Sequence, residues 1–300
     1  MEKRKLGKSN LMVTVLGFGA MELNRMEEKA AARLLNEALD GGINYIDTSP
    51  CYGLSEEFIG KAISHRRNEY HISTKCGCNI SGEGPGHIFD RKTLLKNIDN
   101  SLRLLKTDYI DVWQIHGPMP FELTGGTGNE AIETMQFLKK EGKIRHIAVS
   151  YKNGGPKDKL YPAGFSMECI RGYINWDVFD VMQIVYGGLT RRNEKAIAKV
   201  AEKGIGTVIR GVIKKYGTGY GELLERARLA ELCEHNESPD GFLIRYALSH
   251  PGIGTIIIGT ANSGHLAENI KTAGLGRLPD DVYDEARRRL DSIGILAEEP

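Results

Sequence analysis

Eight short apolar runs recur along this chain, and seven stretches with helical spacing or loop character separate them. The runs are VTVLGFG (13–19), INYID (43–47), YHISTK (70–75), YIDVWQIH (109–116), IRHIAVS (144–150), FDVMQIVY (179–186), GIGTVIRG (204–211) and IGTIIIGT (253–260). Several are nearly continuous in β-branched and other apolar residues, the pattern of strands buried on both faces. Period-3.6 patterns lie between them at 27–42, 90–108, 128–143, 192–204, 238–252 and 263–274, with a last one at 280–294. The segment 157–179 has an ambiguous pattern with room for the helix before the sixth strand. Strand–helix alternation eight times over predicts a closed parallel (β/α)8 TIM barrel in one domain, residues 1–300. The segment KRKLGKSNLMVT (3–14) alternates around a Lys-Ser-Asn turn and predicts a small N-terminal β-hairpin. RARLAELCEHNE (226–237) reads as a charged helical stretch with a solvated face.

Bulk properties exclude several function classes. A formal net charge of +1 gives no global attraction to nucleic acid or an anionic membrane. No apolar run approaches the ~18–20 residues of a membrane span, and MEKRKLGKSN lacks the apolar core of a secretory signal. Five cysteines, an odd number, predict reduced thiols in a cytoplasmic protein and no disulfide framework. Cys76 and Cys78 form C-x-C and have no nearby histidine pair at ligand spacing, so no metal site is expected. GFGAME (17–22) begins like a dinucleotide fingerprint, but Glu22 stands where the third glycine belongs and no apolar helix face follows. It reads as a tight turn.

Chemistry-bearing residues sit at the ends of these runs: Asp47 and Tyr52 after the second, Lys75 after the third, His116 after the fourth. Strand ends on one rim of a barrel are where active sites are built. Tyrosine holds its proton at neutral pH and is able to donate it. A lysine cation beside Tyr52 favours the phenolate and eases that donation. Asp47 orients Lys75 by an ion pair, and His116 polarises a carbonyl oxygen. The four together suit carbonyl reduction, with Tyr52 as the proton donor.

NYIDTSPCYGLSEEFIGKAI (44–63), the STK and QIH strand ends, AVS (148–150), MQIVY (182–186) and IIIGTANSGHLAENI (256–270) resemble, in order, the sequence blocks of the aldo-keto reductases. The resemblance implies a (β/α)8 barrel with an N-terminal hairpin that binds NADPH, less often NADH, and acts on a small-molecule aldehyde or ketone. It implies Asp47, Tyr52, Lys75 and His116 as the catalytic four. It implies a cofactor set of Gly19, Met21, Asp47, Ser150, Gln183, Arg210, Gly211, Gly259, Thr260, His265, Glu268 and Asn269. Ser150 and Gln183 match carboxamide contacts, Arg210 a residue stacking on the nicotinamide, and GVIKK (211–215) the pyrophosphate lining. Gly259, Thr260 and His265 stand where many members grip a 2′-phosphate with Lys, Ser and Arg. Two cations are therefore missing, although the helix start at 262–264 offers backbone amides to an anion. Tyr216 and Tyr220 read equally as a cover over the cofactor and as ordinary loop tyrosines, and Trp113 on the fourth strand is expected to report cofactor binding by fluorescence. A cofactor-binding regulatory subunit of the same barrel is a second reading. A Schiff-base lyase acting through Lys75 is a third.

Overall fold

All eight apolar runs become strands of one closed parallel barrel. They are β3 (Leu16–Gly19), β4 (Tyr45–Asp47), β5 (His71–Cys76), β6 (Ile110–His116), β7 (Ile144–Ser150), β8 (Val181–Val185), β9 (Gly206–Arg210) and β10 (Thr255–Ile258). Pairing of Ile256 with Leu16 closes the ring. The computed structural model describes residues 1–79, 86–118, 123, 127–151, 165–213 and 219–299. The first run divides in two. Met12–Thr14 pairs antiparallel with Lys3–Lys5 as the hairpin β2–β1, and only Leu16–Gly19 enters the barrel. Asn10 makes the hairpin turn with a left-handed backbone (φ 60°). Leu6, Leu11 and Val13 of this hairpin are buried with Tyr45, Val112 and Ala148, so the hairpin plugs the barrel floor.

Inward residues alternate along each strand, and their chemistry changes with height. Tyr45 is followed by Asp47, Ser73 by Lys75, Val112 by Gln114 and His116, Ala148 by Ser150, Val181 by Gln183, and Val208 by Arg210. The lower layer is mostly apolar and packed. The upper layer is polar, and it faces the C-terminal rim where barrel enzymes place their chemistry. Trp113 has the opposite parity to Gln114 and His116. It is fully buried in the layer between the strands and the helices, so it does not face the barrel interior. The expected fluorescence report from Trp113 loses its basis.

Three side chains tie the floor together at the strand starts. Asn44 Oδ1 accepts from Thr14 N at 2.7 Å, Asp111 Oδ2 from Ile72 N at 2.9 Å, and Asp180 Oδ2 from Ile147 N at 2.9 Å. Each fixes the register of a neighbouring strand.

The helices are α1 (Glu28–Asp40), α2 (Ser55–Ile63), α3 (Arg91–Leu105), α4 (Thr127–Lys140), α5 (Phe165–Tyr173), α6 (Glu194–Glu202), α7 (Tyr220–Arg226), α8 (Pro239–Ser249), α9 (Ser263–Gly274) and α10 (Asp280–Ser292). In α1 the buried Ala31, Leu34, Leu35, Ala38 and Leu39 form one stripe against the barrel. Asp90 caps α3 by accepting from Thr93 N, and Ser238 caps α8 with Pro239 in its first turn. Helix α2 is an addition to the sequence reading. The expected helix over 226–237 does not form. Helix α7 stops at Arg226, Arg228 takes a left-handed backbone (φ 49°), and a 3-10 turn at Leu229–Leu232 buries Leu229. No helix among the described residues is long and apolar enough to cross a membrane.

Candidate active site and coenzyme cleft

The upper layer of the barrel holds a buried charge pair. Lys75 Nζ donates to Asp47 Oδ1 at 2.6 Å and to the Thr48 carbonyl at 2.7 Å, and both side chains are almost fully enclosed. Adjacent strand ends force this meeting, because β4 and β5 pair in register with Asp47 opposite Ser73. Burial works against the Lys75 charge, but the Asp47 and Tyr52 oxygens outweigh it and hold the ammonium above its ordinary range. The other Asp47 oxygen, Oδ2, accepts from Gln114 Nε2 at 2.7 Å and Gln183 Nε2 at 2.9 Å. Asp47 is thus held by three donors, and breaking such a buried pair costs about 3–5 kcal/mol.

Tyr52 stands on the turn after β4, where its amide donates to the Ser49 carbonyl at 3.0 Å. The Lys75 ammonium lies 5.0 Å from the Tyr52 ring centroid, and the His116 ring meets Tyr52 edge-on at 6.3 Å. His116 Nδ1 faces Cys78 Sγ at 3.4 Å and Ser49 Oγ at 3.5 Å. The four residues singled out in the sequence therefore share one corner of the rim.

Two adjoining hollows open beside them. One, of about 410 Å³, is lined by Gly19, Met21, Asp47, Tyr52, Arg210 and Gly211. The second, of about 310 Å³, is lined by Gly259, Thr260, His265, Glu268, Asn269 and Asp240. Ile213, Ile258 and Gly259 border both, so the two form one elongated cleft from Tyr52 to α9. At the waist, a Cβ on Gly259 would come within 2.8 Å of the Gly19 carbonyl; the two glycines leave a backbone-lined cradle there.

Ten of the twelve expected cofactor residues line this cleft. Ser150 and Gln183 do not. They are buried beneath it, where Ser150 Oγ donates to Gln183 Oε1 at 2.9 Å and Gln183 supports Asp47. Arg210 donates to the Tyr151 carbonyl at the cleft's edge. Part of the helix start expected to offer amides to an anion is already used. Asn262 Oδ1 accepts from His265 N at 3.0 Å, and Thr260 Oγ1 accepts from Asn262 N at 3.1 Å. Tyr220 reaches the far end, where its hydroxyl donates to Asp240. Tyr216, Lys214 and Lys215 lie outside the described residues, as do most of the long rim loops after β5, β6 and β7.

Two cysteines depart from expectation. Cys51 and Cys78 are joined as a disulfide across 27 residues, with Cα atoms 5.9 Å apart, whereas the odd cysteine count predicts only thiols. The loop before Tyr52 and the end of β5 bring them together, a proximity that counting cannot register. Among the described residues, Cys76, Cys169 and Cys233 form no disulfide. Cys76 is enclosed, and burial pushes its thiol well above the ordinary range, which leaves it inert.

Sequence reasoning missed Gln114, Glu56 and His87. Gln114 shares the inward face of β6 with His116, two residues away, and that parity is its signal. Glu56 is a buried carboxyl on α2; burial raises its pKa, while the Thr74 hydroxyl donates to it at 2.7 Å. His87 has no signal of its own in the sequence. It is brought to the rim by an antiparallel bridge to Cys78.

Comparison with known proteins agrees with this architecture. The family model described as "Aldo/keto reductase family" matches residues 15–290. The chain is 29% identical to the uncharacterized oxidoreductase YqkF of Bacillus subtilis, covering 94% of each. It is 28% identical to L-galactose dehydrogenase of Arabidopsis thaliana, over 90% of this chain and 87% of that one. Among solved structures, the holo form of aldo-keto reductase AKR11C1 from Bacillus halodurans superposes with a TM-score of 0.84 at 28% identity, covering 100% of this chain and 98% of that one.

Proposed function

The chain belongs to the aldo/keto reductase family, and on that premise we propose that it reduces an aldehyde or ketone with Tyr52 as the proton donor. The observation that carries this reading is Lys75, held by Asp47 at 2.6 Å and set 5.0 Å from the Tyr52 ring. A bound nicotinamide coenzyme supplies the hydride. Gly19, Met21, Arg210 and Gly211 would hold its nicotinamide half against Asp47, with Ser150 and Gln183 below. Gly259, Thr260, His265, Glu268 and Asn269 would hold its adenosine half.

Tyr52 gives its proton to the carbonyl oxygen as negative charge builds there. The Lys75 ammonium stabilises the charge left on the phenolate. Asp47 keeps that ammonium in place, and the Asp47–Lys75 pairing also argues against a neutral Lys75 forming a Schiff base. With Nδ1 turned toward Ser49 and Cys78, we assign His116 Nε2 to the substrate oxygen as a hydrogen-bond donor. Met21 and Leu54 are exposed at the rim and give the substrate's carbon skeleton apolar surface. A dehydrogenase among the relatives keeps the reverse direction, alcohol oxidation, within the reading.

We propose NADPH or NADH as the coenzyme, with the preference for NADPH weakened by the adenosine end. Its described lining contains Asp240 and Glu268 and, among the described residues, neither Lys nor Arg. A 2′-phosphate dianion gains little from such surroundings. The reading is tested with Tyr52→Phe: turnover of a carbonyl panel falls by orders of magnitude while coenzyme affinity in titration stays within a few fold. Equal turnover in wild type and variant would overturn it.

A further inference from the structure

Four side chains beside the proposed active site bring soft and borderline donors to one point. One ligand atom from each of Cys51, Cys78, His87 and His116 lies within 4.8 Å of the other three. Cys78 Sγ is 3.4 Å from His116 Nδ1, and Cys51 Sγ is 3.9 Å from His87 Nε2. Bond lengths of about 2.3 Å to sulfur and 2.0 Å to nitrogen place tetrahedral zinc donors roughly 3.3–3.8 Å apart. The Cys78–His116 separation falls inside that spacing, and the Cys51–His87 separation lies about 0.1 Å beyond it. Two sulfurs and two imidazoles are also a donor set that suits Zn²⁺.

Each donor stands on separately anchored backbone. Cys78 and His87 face each other across an antiparallel bridge, flanked by Ile88 N to Gly77 O at 2.8 Å and Asn79 N to Gly86 O at 3.0 Å. Gly77 makes the turn into this arm with φ +81°, and Asn97 holds both ends of the turn, accepting from Gly77 N and donating to the Cys78 carbonyl. Cys51 is fixed by its amide donating to Ser49 Oγ at 3.2 Å, and His116 ends β6. A metal here would meet donors already assembled, with one change needed: the Cys51–Cys78 bond must be reduced.

We propose that Cys51, Cys78, His87 and His116 form a zinc site in the reduced protein, so that this corner of the rim holds either a disulfide or a metal ion. A small dithiol reduces the Cys51–Cys78 bond and is itself oxidised to a disulfide, leaving two protein thiols. Both thiols lose their protons as Zn²⁺ binds. Cys51 is exposed and open to that exchange. Four protein ligands complete the tetrahedron and leave no position for substrate, so the ion is structural and not a Lewis acid for the carbonyl. Coordination of His116 through Nδ1 places the ring proton on Nε2. That last consequence alone rests on the carbonyl-reduction reading.

The test counts metal before it measures activity. Full-length protein, reduced with a dithiol and desalted without oxygen, is titrated with Zn²⁺, and in parallel with Co²⁺ for its absorbance. One ion per chain is expected, with thiolate-to-cobalt charge transfer and tetrahedral ligand-field bands. The oxidised protein should take up none. Zinc affinity should drop by more than about tenfold in His87→Ala and in Cys78→Ser. A reduced wild type that binds no zinc, a cobalt spectrum without thiolate bands, or equal affinity in both variants would overturn the site. None of these readouts depends on carbonyl turnover. Zinc-loaded enzyme should turn over a carbonyl at least as fast as metal-free reduced enzyme. Strong inhibition by one equivalent would put the ion on Nε2 and overturn the Nδ1 assignment.

Discussion

Asp47 is the residue on which most of the site's geometry depends. It is 2% exposed and accepts from Lys75, Gln114 and Gln183. Lys75→Met strips a buried carboxylate of its cation, and we expect about 3–5 kcal/mol of lost stability in urea unfolding as well as lost turnover. The pH dependence of the pair has a definite sign. Because the folded-state pKa of Lys75 is raised, its contribution is complete below the unfolded lysine value of about 10.4 and is lost only as pH rises through the higher folded value. Stability attributable to the pair should therefore be flat from pH 6 to 9, which melts of wild type and Lys75→Met across that range check. At this scale the sequence was readable where chemistry and strand parity coincide. Asp47, Lys75 and His116 each close an apolar run, and the fold brings them to one rim. His87 and Cys51 were not readable as a pair with Cys78 and His116, because four separate segments contribute one donor apiece and no spacing connects them.

Strands and helices are pinned at the barrel floor by single side chains. Asp180 accepts from Ile147 N at 2.9 Å and from Lys139 Nζ at 2.7 Å, tying β8 to both β7 and α4. Burial would raise its pKa, but the His146 imidazole 3.6 Å away and the hydrogen bonds from Lys139 and the Ile147 amide prevail and lower it to about 2. The depressed folded value means that Asp180 stabilises the fold above the unfolded aspartate value of about 3.9. That share fades as pH falls toward about 2. Asp180→Asn should cost on the order of 2 kcal/mol at pH 7 and much less at pH 2, as paired denaturant titrations will record. Helices α2 and α3 approach so closely that a Cβ on Gly60 would lie 2.0 Å from the Leu104 carbonyl oxygen. Gly60→Ala should thus destabilise by about 1–3 kcal/mol despite alanine's better helix propensity, measured by thermal melting. Helix α2 escaped the sequence pass because it is short and embedded in the motif around Tyr52. The helix expected over 226–237 failed because burial of Leu229 and the left-handed Arg228 outweighed a favourable charge pattern.

Seen whole, the molecule joins the Tyr52 corner and α9 by one cleft on a single rim, so the proposed function assigns coenzyme choice and catalysis to opposite ends of the same groove. Introducing a cation at the far end should move the choice. His265→Arg is expected to shift the NADPH-to-NADH ratio of kcat/KM upward by about tenfold, an effect of about 1.4 kcal/mol, with little change in carbonyl preference. Strand count, parallel closure and the floor hairpin were all legible from eight apolar runs and one turn. The ring itself has a temporal implication. Thr255 of β10 donates its hydroxyl to the Val15 carbonyl just before β3, 240 residues earlier in the chain. During synthesis, the free edge of β3 must therefore wait, unpaired, until β10 has left the ribosome. The hairpin that plugs the floor joins residues about ten apart and has no such delay. A nascent chain halted before β10 should remain sensitive to protease along β3, and release through β10 should abolish that sensitivity in one step.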